Sequence, residues 1–216
     1  MIKSFILLFL IQPFLFAYCA KDIEVIVVEY PPFTTKDHPK GGISFELLHH
    51  LSLNEEYNWK PVFLPPKRAY TTLESGEWCA SFYPAQKKSD YTIIKLGKGG
   101  VNIGLARLTE SSSFTWSSLK ELKGSTVVMM RTGPESKFLT LFKDAGMDVV
   151  FVETIQVAIM MVLLNRVDLA MIDNISYLNL SSEQRQNLQF SNTYLDSINL
   201  RLFINNDCNL SFSKKK

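Results

Sequence analysis

The residues able to do chemistry in this 216-residue chain fall in six short stretches. Glu29-Tyr30 sets a carboxylate beside an aromatic ring directly ahead of Pro31-Pro32, which would hold that ring rigidly for contact with a ligand; a tyrosine that simply packs at a strand end is the alternative. Arg68 follows Pro65-Pro66-Lys67. Ser81 and Tyr83 bring two hydroxyls close together, either as ligand contacts or as an ordinary strand end. Lys87-Lys88 supply point charges, which cannot make the bidentate fork of an arginine, and a solvated surface is their other reading. Arg131-Thr132-Gly133 runs into Pro134, where free N–H groups at a helix start would favour an anion; a tight turn requiring Gly133 explains the same residues equally well. Asp173 offers a carboxylate at a strand end, where it would also serve as a helix N-cap. Aromatic surface, hydroxyls, cations and carboxylates together suit a small polar or zwitterionic molecule. No Ser-His-Asp or Cys-His arrangement is apparent, His38, His49 and His50 lack metal-like partners, and no Cys-x-x-Cys occurs, so no metal site is expected.

These stretches are positioned by a unit that occurs twice. Residues 23–28 form an apolar, β-branched run, which predicts a strand ended by Pro31-Pro32. Ile43, Leu47, Leu48 and Leu51 recur at helical spacing over 43–53. A strand at 61–64, a helix at 67–74 stopped by Gly76, and a strand at 78–83 complete β-α-β-α-β. The order returns as a strand at 125–130, a helix entered through Pro134 and ending near Gly146, a strand at 148–152, a helix at 155–164 behind the N-cap Thr154, and a strand at 167–172. The helix at 155–164 is apolar nearly all round, which predicts burial between layers. Alternating strands and helices imply parallel sheets covered on both faces.

Two further strands, at 101–107 and 198–204, are long enough to pass between lobes, leaving the first near Leu105 and returning near Asn199. The fold class expected is therefore α/β, a two-lobed hinged clamshell with two crossover strands. Lobe one comprises residues 21–105 and 197–216, lobe two 106–196, and residues 1–20 are a leader. Ligands of open parallel sheets sit beyond the carboxyl ends of the strands, and in a clamshell both sets of ends face one cleft.

The leader expectation rests on Lys3, an apolar run over 6–16 and small residues at Ala17-Tyr18-Cys19-Ala20, followed at once by Lys21-Asp22. That is a secretory signal pattern with cleavage near Ala20, too short for a spanning helix. Removing Lys3 with it leaves one more basic than acidic residue, so no electrostatic footprint for nucleic acid is present. Export into an oxidising compartment would permit Cys79 and Cys208 to pair, with two free thiols equally compatible. A composition 46% hydrophobic and 20% charged excludes a disordered chain.

Several of these residues carry a resemblance. Glu29-Tyr30-Pro31-Pro32-Phe33 after the first strand, Leu73-Glu74-Ser75-Gly76-Glu77 before the third, LKELKGSTV over 119–127 and Asn165-Arg166-Val167-Asp168-Leu169-Ala170-Met171-Ile172-Asp173 together resemble the family 3 extracellular solute-binding proteins over residues 22–206. That resemblance implies a Venus-flytrap fold of the periplasmic-binding-protein type II class, no cofactor, a periplasmic location, and capture of an amino acid or a related solute for an importer. It implies a small-molecule ligand, an inner-membrane permease as partner, and a monomer. Tyr30 matches the family's stacking aromatic and Asp173 the position that holds the ligand's amino group. Ser81 and Tyr83 match lobe-one contact positions. Lys88 stands near the position of the family's carboxylate-binding arginine, with Arg68 and Arg131 as rival carboxylate partners. Gly133-Pro134 replaces hydroxyl residues expected in lobe two, and Arg68 resembles a looser subgroup. The chain also stops about a dozen residues after its return strand, where relatives add helix.

Two other functions fit the same clamshell. It is similar to the cyclohexadienyl dehydratases, for which Glu29, Glu153 or Asp173 would have to act as a general acid. It would equally serve a sensor or scaffold that presents closed lobes to a membrane partner.

Overall fold

The computed structural model describes residues 21–51, 57–84, 90–97, 99–208 and 210; the stretch at 1–20 expected to be a leader and Lys87-Lys88 lie outside them. In chain order the first half runs β1 (Lys21–Val27), α1 (Ile43–His50), β2 (Tyr57–Phe63), α2 (Pro66–Ser75), β3 (Ala80–Ser81), β4 (Tyr91–Lys95) and β5 (Val101–Leu108). The second half runs β6 (Thr126–Met130), α3 (Lys137–Asp144), β7 (Asp148–Val152), α4 (Ile155–Leu163), β8 (Leu169–Asp173), α5 (Asn174–Leu178), α6 (Ser182–Asn187), β9 (Leu188–Phe190), β10 (Asp196–Ile198) and β11 (Arg201–Asn205).

Two sheets result. The first has the order β2-β1-β3-β11-β4, and the second β10-β5-β8-β6-β7 with β9 also paired to β5. Each has the expected parallel core, β2-β1-β3 and β8-β6-β7. Antiparallel strands are added at the side where the chain crosses: β11 and β4 to the first sheet, and β5 with its partners to the second.

The chain passes to the second sheet between β4 and β5, before Val101 rather than near Leu105, because β5 pairs within the second sheet from Val101 onward. It returns between Ile198 and Arg201. The two crossings run side by side, and the Leu96 amide donates to the Leu200 carbonyl at 3.0 Å. What reads in sequence as one strand at 198–204 is thus β10 in one lobe and β11 in the other. The architecture is a two-lobed α/β clamshell.

Strand alternation sorts the core. Ile23, Val25 and Val27 of β1 face Phe45 and Leu48 of α1, while Ile26 packs on the opposite side with Ala69 and Leu73 of α2. In the second lobe Val127 and Met129 of β6 pack with Phe142 of α3, and Val128 and Met130 with Ala158, Ile159 and Val162 of α4. The clusters on the α2 and α4 sides are continuous, so one apolar core spans both lobes, with Tyr30 and Tyr83 against it. At about 25 cal/mol per Å² of apolar surface removed from water, such a shared core favours closed lobes.

Helix α4 departs from expectation. Ile155, Ala158, Ile159 and Val162 are buried, yet Val157, Met160 and Leu164 are exposed, because among the described residues no second layer covers its outer face. Helix α3 begins at Lys137, not at Pro134: residues 134–136 form a turn first, and Ser136 is the N-cap. The strand expected over 78–83 is reduced to Ala80–Ser81. Thr154 caps α4 as expected, its Oγ1 accepting from the Val157 amide at 3.3 Å. Cys79 and Cys208 form a disulfide with Cα atoms 5.5 Å apart, tying the chain beyond β11 to the start of β3.

Candidate functional site between the lobes

Tyr30 is fixed by a turn that its own sequence dictates. The prolines end β1, and the chain folds back so that the Tyr30 amide donates to the Thr34 carbonyl at 2.8 Å while Thr34 Oγ1 donates to the Val28 carbonyl at 2.7 Å. Gly42 closes this turn on α1; its φ is 106° and a Cβ there would lie 2.5 Å from the Phe33 carbonyl oxygen, so only glycine fits. The phenol is thereby aimed across the cleft.

It meets Asp173. This carboxylate ends β8 and caps α5, with Oδ1 accepting from the Ile175 and Ser176 amides at 2.9 and 2.8 Å. Oδ2 accepts from Ser176 Oγ at 2.6 Å and from Tyr30 Oη at 2.9 Å. Both readings of Asp173 therefore coexist: it is a helix cap, and it stands at the lobe interface, 2% exposed. Among the described residues three of its four hydrogen bonds come from its own lobe, and only Tyr30 reaches over from the other. Burial, reinforced by the Asp173 carboxylate, pushes the Tyr30 phenol well above its ordinary pKa, so it stays protonated and keeps donating.

Two more contacts bridge the lobes. Ser176 Oγ, whose single proton is shared between Asp173 Oδ2 and the Pro31 carbonyl, lies 3.1 Å from that carbonyl, and Tyr83 Oη donates to the Arg131 carbonyl at 3.2 Å. Burial, with Tyr70 and Glu153 nearby, pushes Tyr83 up to about 12. Gly133 lies against the ring of Tyr70 on α2: a Cβ there would come within 2.5 Å of Tyr70 Cε2.

The structure therefore brings Tyr30, Tyr83, Arg131, Gly133 and Asp173 to one interface. Thr132 joins them in sequence, its hydroxyl turned to the Gly133 carbonyl at 3.3 Å. Arg131 does not present a free cation. Just beyond the paired ends of β6 and β7 it meets Glu153, and its Nε donates to Glu153 Oε1 at 2.8 Å while the guanidinium lies over Phe151. The intervening turn at 134–136 also removes the helix start expected directly behind it. Ser81 is fully buried, its hydroxyl donating to the Ile26 and Tyr83 carbonyls at 3.2 and 2.8 Å. Arg68 is exposed on α2, and Glu29 Oε2 accepts from the Lys36 amide at 3.2 Å. Lys88 lies outside the described residues.

Sequence reasoning missed Ser176 and Tyr70. The signal for Ser176 is its spacing, three residues beyond a capping aspartate on the same face. Tyr70 sits on the first turns of a helix whose start is plain from Pro65-Pro66, but its partner Gly133 is remote in sequence. Among the described residues no group of His, Cys, Asp and Glu is placed to hold a metal ion.

Solved structures with the same architecture are numerous. The ligand-binding core of GluR0 from Nostoc punctiforme in complex with L-glutamate superposes with a TM-score of 0.67 at 14% identity, covering 86% of this chain and 85% of that one. This is the periplasmic-binding-protein-like fold. A periplasmic binding protein of an arginine third transport system from Legionella pneumophila gives 0.65 at 14% identity, with 87% of each chain covered. A histidine kinase sensor domain with similarity to periplasmic binding proteins gives 0.68 at 16% identity, covering 87% and 83%. No family model and no curated protein matches the chain.

Proposed function

We propose that this chain is a non-catalytic periplasmic receptor that closes on a small molecule bearing a positively charged nitrogen, an amino acid or a relative, held between the lobes. Asp173 carries this reading. It is a buried carboxylate at the lobe interface whose cross-lobe partner among the described residues is a neutral phenol, and an ammonium in the phenol's place would add the attraction of two opposite full charges to the hydrogen bond. Tyr30 then moves from donor to the stacking wall that the resemblance to family 3 solute-binding proteins implies. The hinge is formed by the two crossings, where the Leu96 amide donates to the Leu200 carbonyl. The Cys79–Cys208 disulfide supports an oxidising compartment, reached through the leader at 1–20, and supply to an inner-membrane permease by a monomer fits the glutamate- and arginine-linked proteins of like fold.

Native mass spectrometry of the protein purified without unfolding tests this reading. An adduct of a small nitrogenous metabolite, lost on Asp173→Asn, is the expected result; an adduct that Asp173→Asn leaves intact would refute the assignment of Asp173.

One observation favours a second reading. The lobes meet through direct hydrogen bonds and a shared apolar core, as a sensor domain signalling from a closed state would require. The sensor domain of like fold agrees with it. Neighbouring permease and ATPase genes favour uptake, and a neighbouring kinase or cyclase gene favours sensing.

A further inference from the structure

A cavity of about 480 Å³ opens on the second lobe, walled by α5, α6 and the segment that leaves β9. Its size falls in the range of small-molecule sites, roughly 300–1,000 Å³. It takes in none of Tyr30, Tyr83 or Asp173.

One wall is a fixed ladder of rings. The Tyr177 hydroxyl donates to the Leu188 carbonyl at 2.9 Å and so pins its ring. Phe190 stacks on Tyr177 with centroids 5.3 Å apart and planes 27° from parallel, and Tyr194 follows Phe190 at 6.2 Å and 33°. Phe190 cannot sink further, because it lies on the backbone of β5 at Gly104, where a Cβ would come within 2.8 Å of its Cζ. Tyr194 is nonetheless 48% exposed and the neighbouring Leu178 59% exposed, so preorganised apolar and aromatic surface faces water.

The polar rim has one sign. Arg185 lines the cavity, and among the described residues its guanidinium has no ion-pair partner. Gln186 and Asn192 add amides, and no Asp or Glu lines the space. A planar cation beside aromatic faces recognises a planar anion that carries a flat apolar body. We infer that this cavity is a second ligand site, specific for a small carboxylate borne on a flat ring, with the carboxylate on Arg185 and the ring against Phe190 and Tyr194.

Titration of the full chain with 4-hydroxybenzoate, followed by amide chemical shifts and calorimetry, tests the inference. Saturable binding is expected, with shifts centred on residues 174–194. Phenol, which lacks the carboxylate, and acetate, which lacks the ring, should bind at least about tenfold more weakly. Arg185→Gln and Tyr194→Ala are surface changes that leave the melting temperature nearly unaltered, and each should cost about tenfold in affinity or more. Absence of saturation, or equal binding by Arg185→Gln, would overturn the second site.

Discussion

The Tyr30 hydroxyl and the Asp173 carboxylate, 143 residues apart in the chain, meet at 2.9 Å across the lobe interface. The residue that would stack on a ligand thus donates to the residue that would hold its amine. Together with Ser176–Pro31 and Tyr83–Arg131, the pair latches the clamshell shut on its own groups. A ligand must therefore displace a protein donor before it is held.

Removing the latch hydroxyl should open the lobes. Tyr30→Phe keeps the ring but deletes the donor, and Asp173 retains its three bonds from α5. Loss of about 1–2 kcal/mol of stability is expected, with a larger radius of gyration in X-ray scattering. An unchanged radius and melting temperature would show that the contact holds nothing.

Gly133→Ala should oppose closure for a different reason. Its backbone is not left-handed, so alanine costs nothing locally; the added methyl meets Tyr70. Destabilisation of about 1–3 kcal/mol is expected, relieved in the double variant with Tyr70→Ala. Additive effects in calorimetry would remove the contact from the account.

The two partly buried phenols set an alkaline limit. Tyr83 titrates at about 12 in the fold against 10 when unfolded, and Tyr30 is raised as well. A raised folded pKa means the folded state holds its proton longer, so this stability is fully present below pH 10 and is lost as pH rises towards 12. Melting temperatures should fall across that window, and Tyr83→Phe should flatten part of the fall. A profile identical in wild type and variant would contradict this.

The disulfide closes a loop of 129 residues and anchors the return strand. Cys79→Ser with Cys208→Ser should lower stability by about 2–4 kcal/mol, measured by urea unfolding. No change would mean that the first lobe keeps β11 without it.

Much of the scaffold was legible because it is written locally. Thr154 ahead of an apolar run marks a helix start, and the bounds of β7 follow from an apolar run between Gly146 and Thr154. The failures share one cause, that pairing decides what local pattern cannot. Ser81 reads as a site hydroxyl but is consumed by the Ile26 and Tyr83 carbonyls. Arg131 reads as an anion anchor or a tight turn, yet Glu153, just past the end of the neighbouring strand, pairs with it. Val157, Met160 and Leu164 look like core because composition does not say which face of α4 is covered. At the site itself, Tyr30 and Asp173 were each identifiable, but their contact depends on how two lobes close and leaves no mark in either stretch.

The central claim is that Asp173 holds a ligand's charged nitrogen in place of Tyr30. Calorimetric titration of wild type, Tyr30→Phe and Asp173→Asn with a panel of amino acids and primary amines tests it most directly. The account predicts that one class of compound binds wild type, binds Tyr30→Phe at least as tightly because no phenol competes, and fails to bind Asp173→Asn. Binding that survives in Asp173→Asn, or no binding by any member of the panel to wild type and Tyr30→Phe alike, would contradict it.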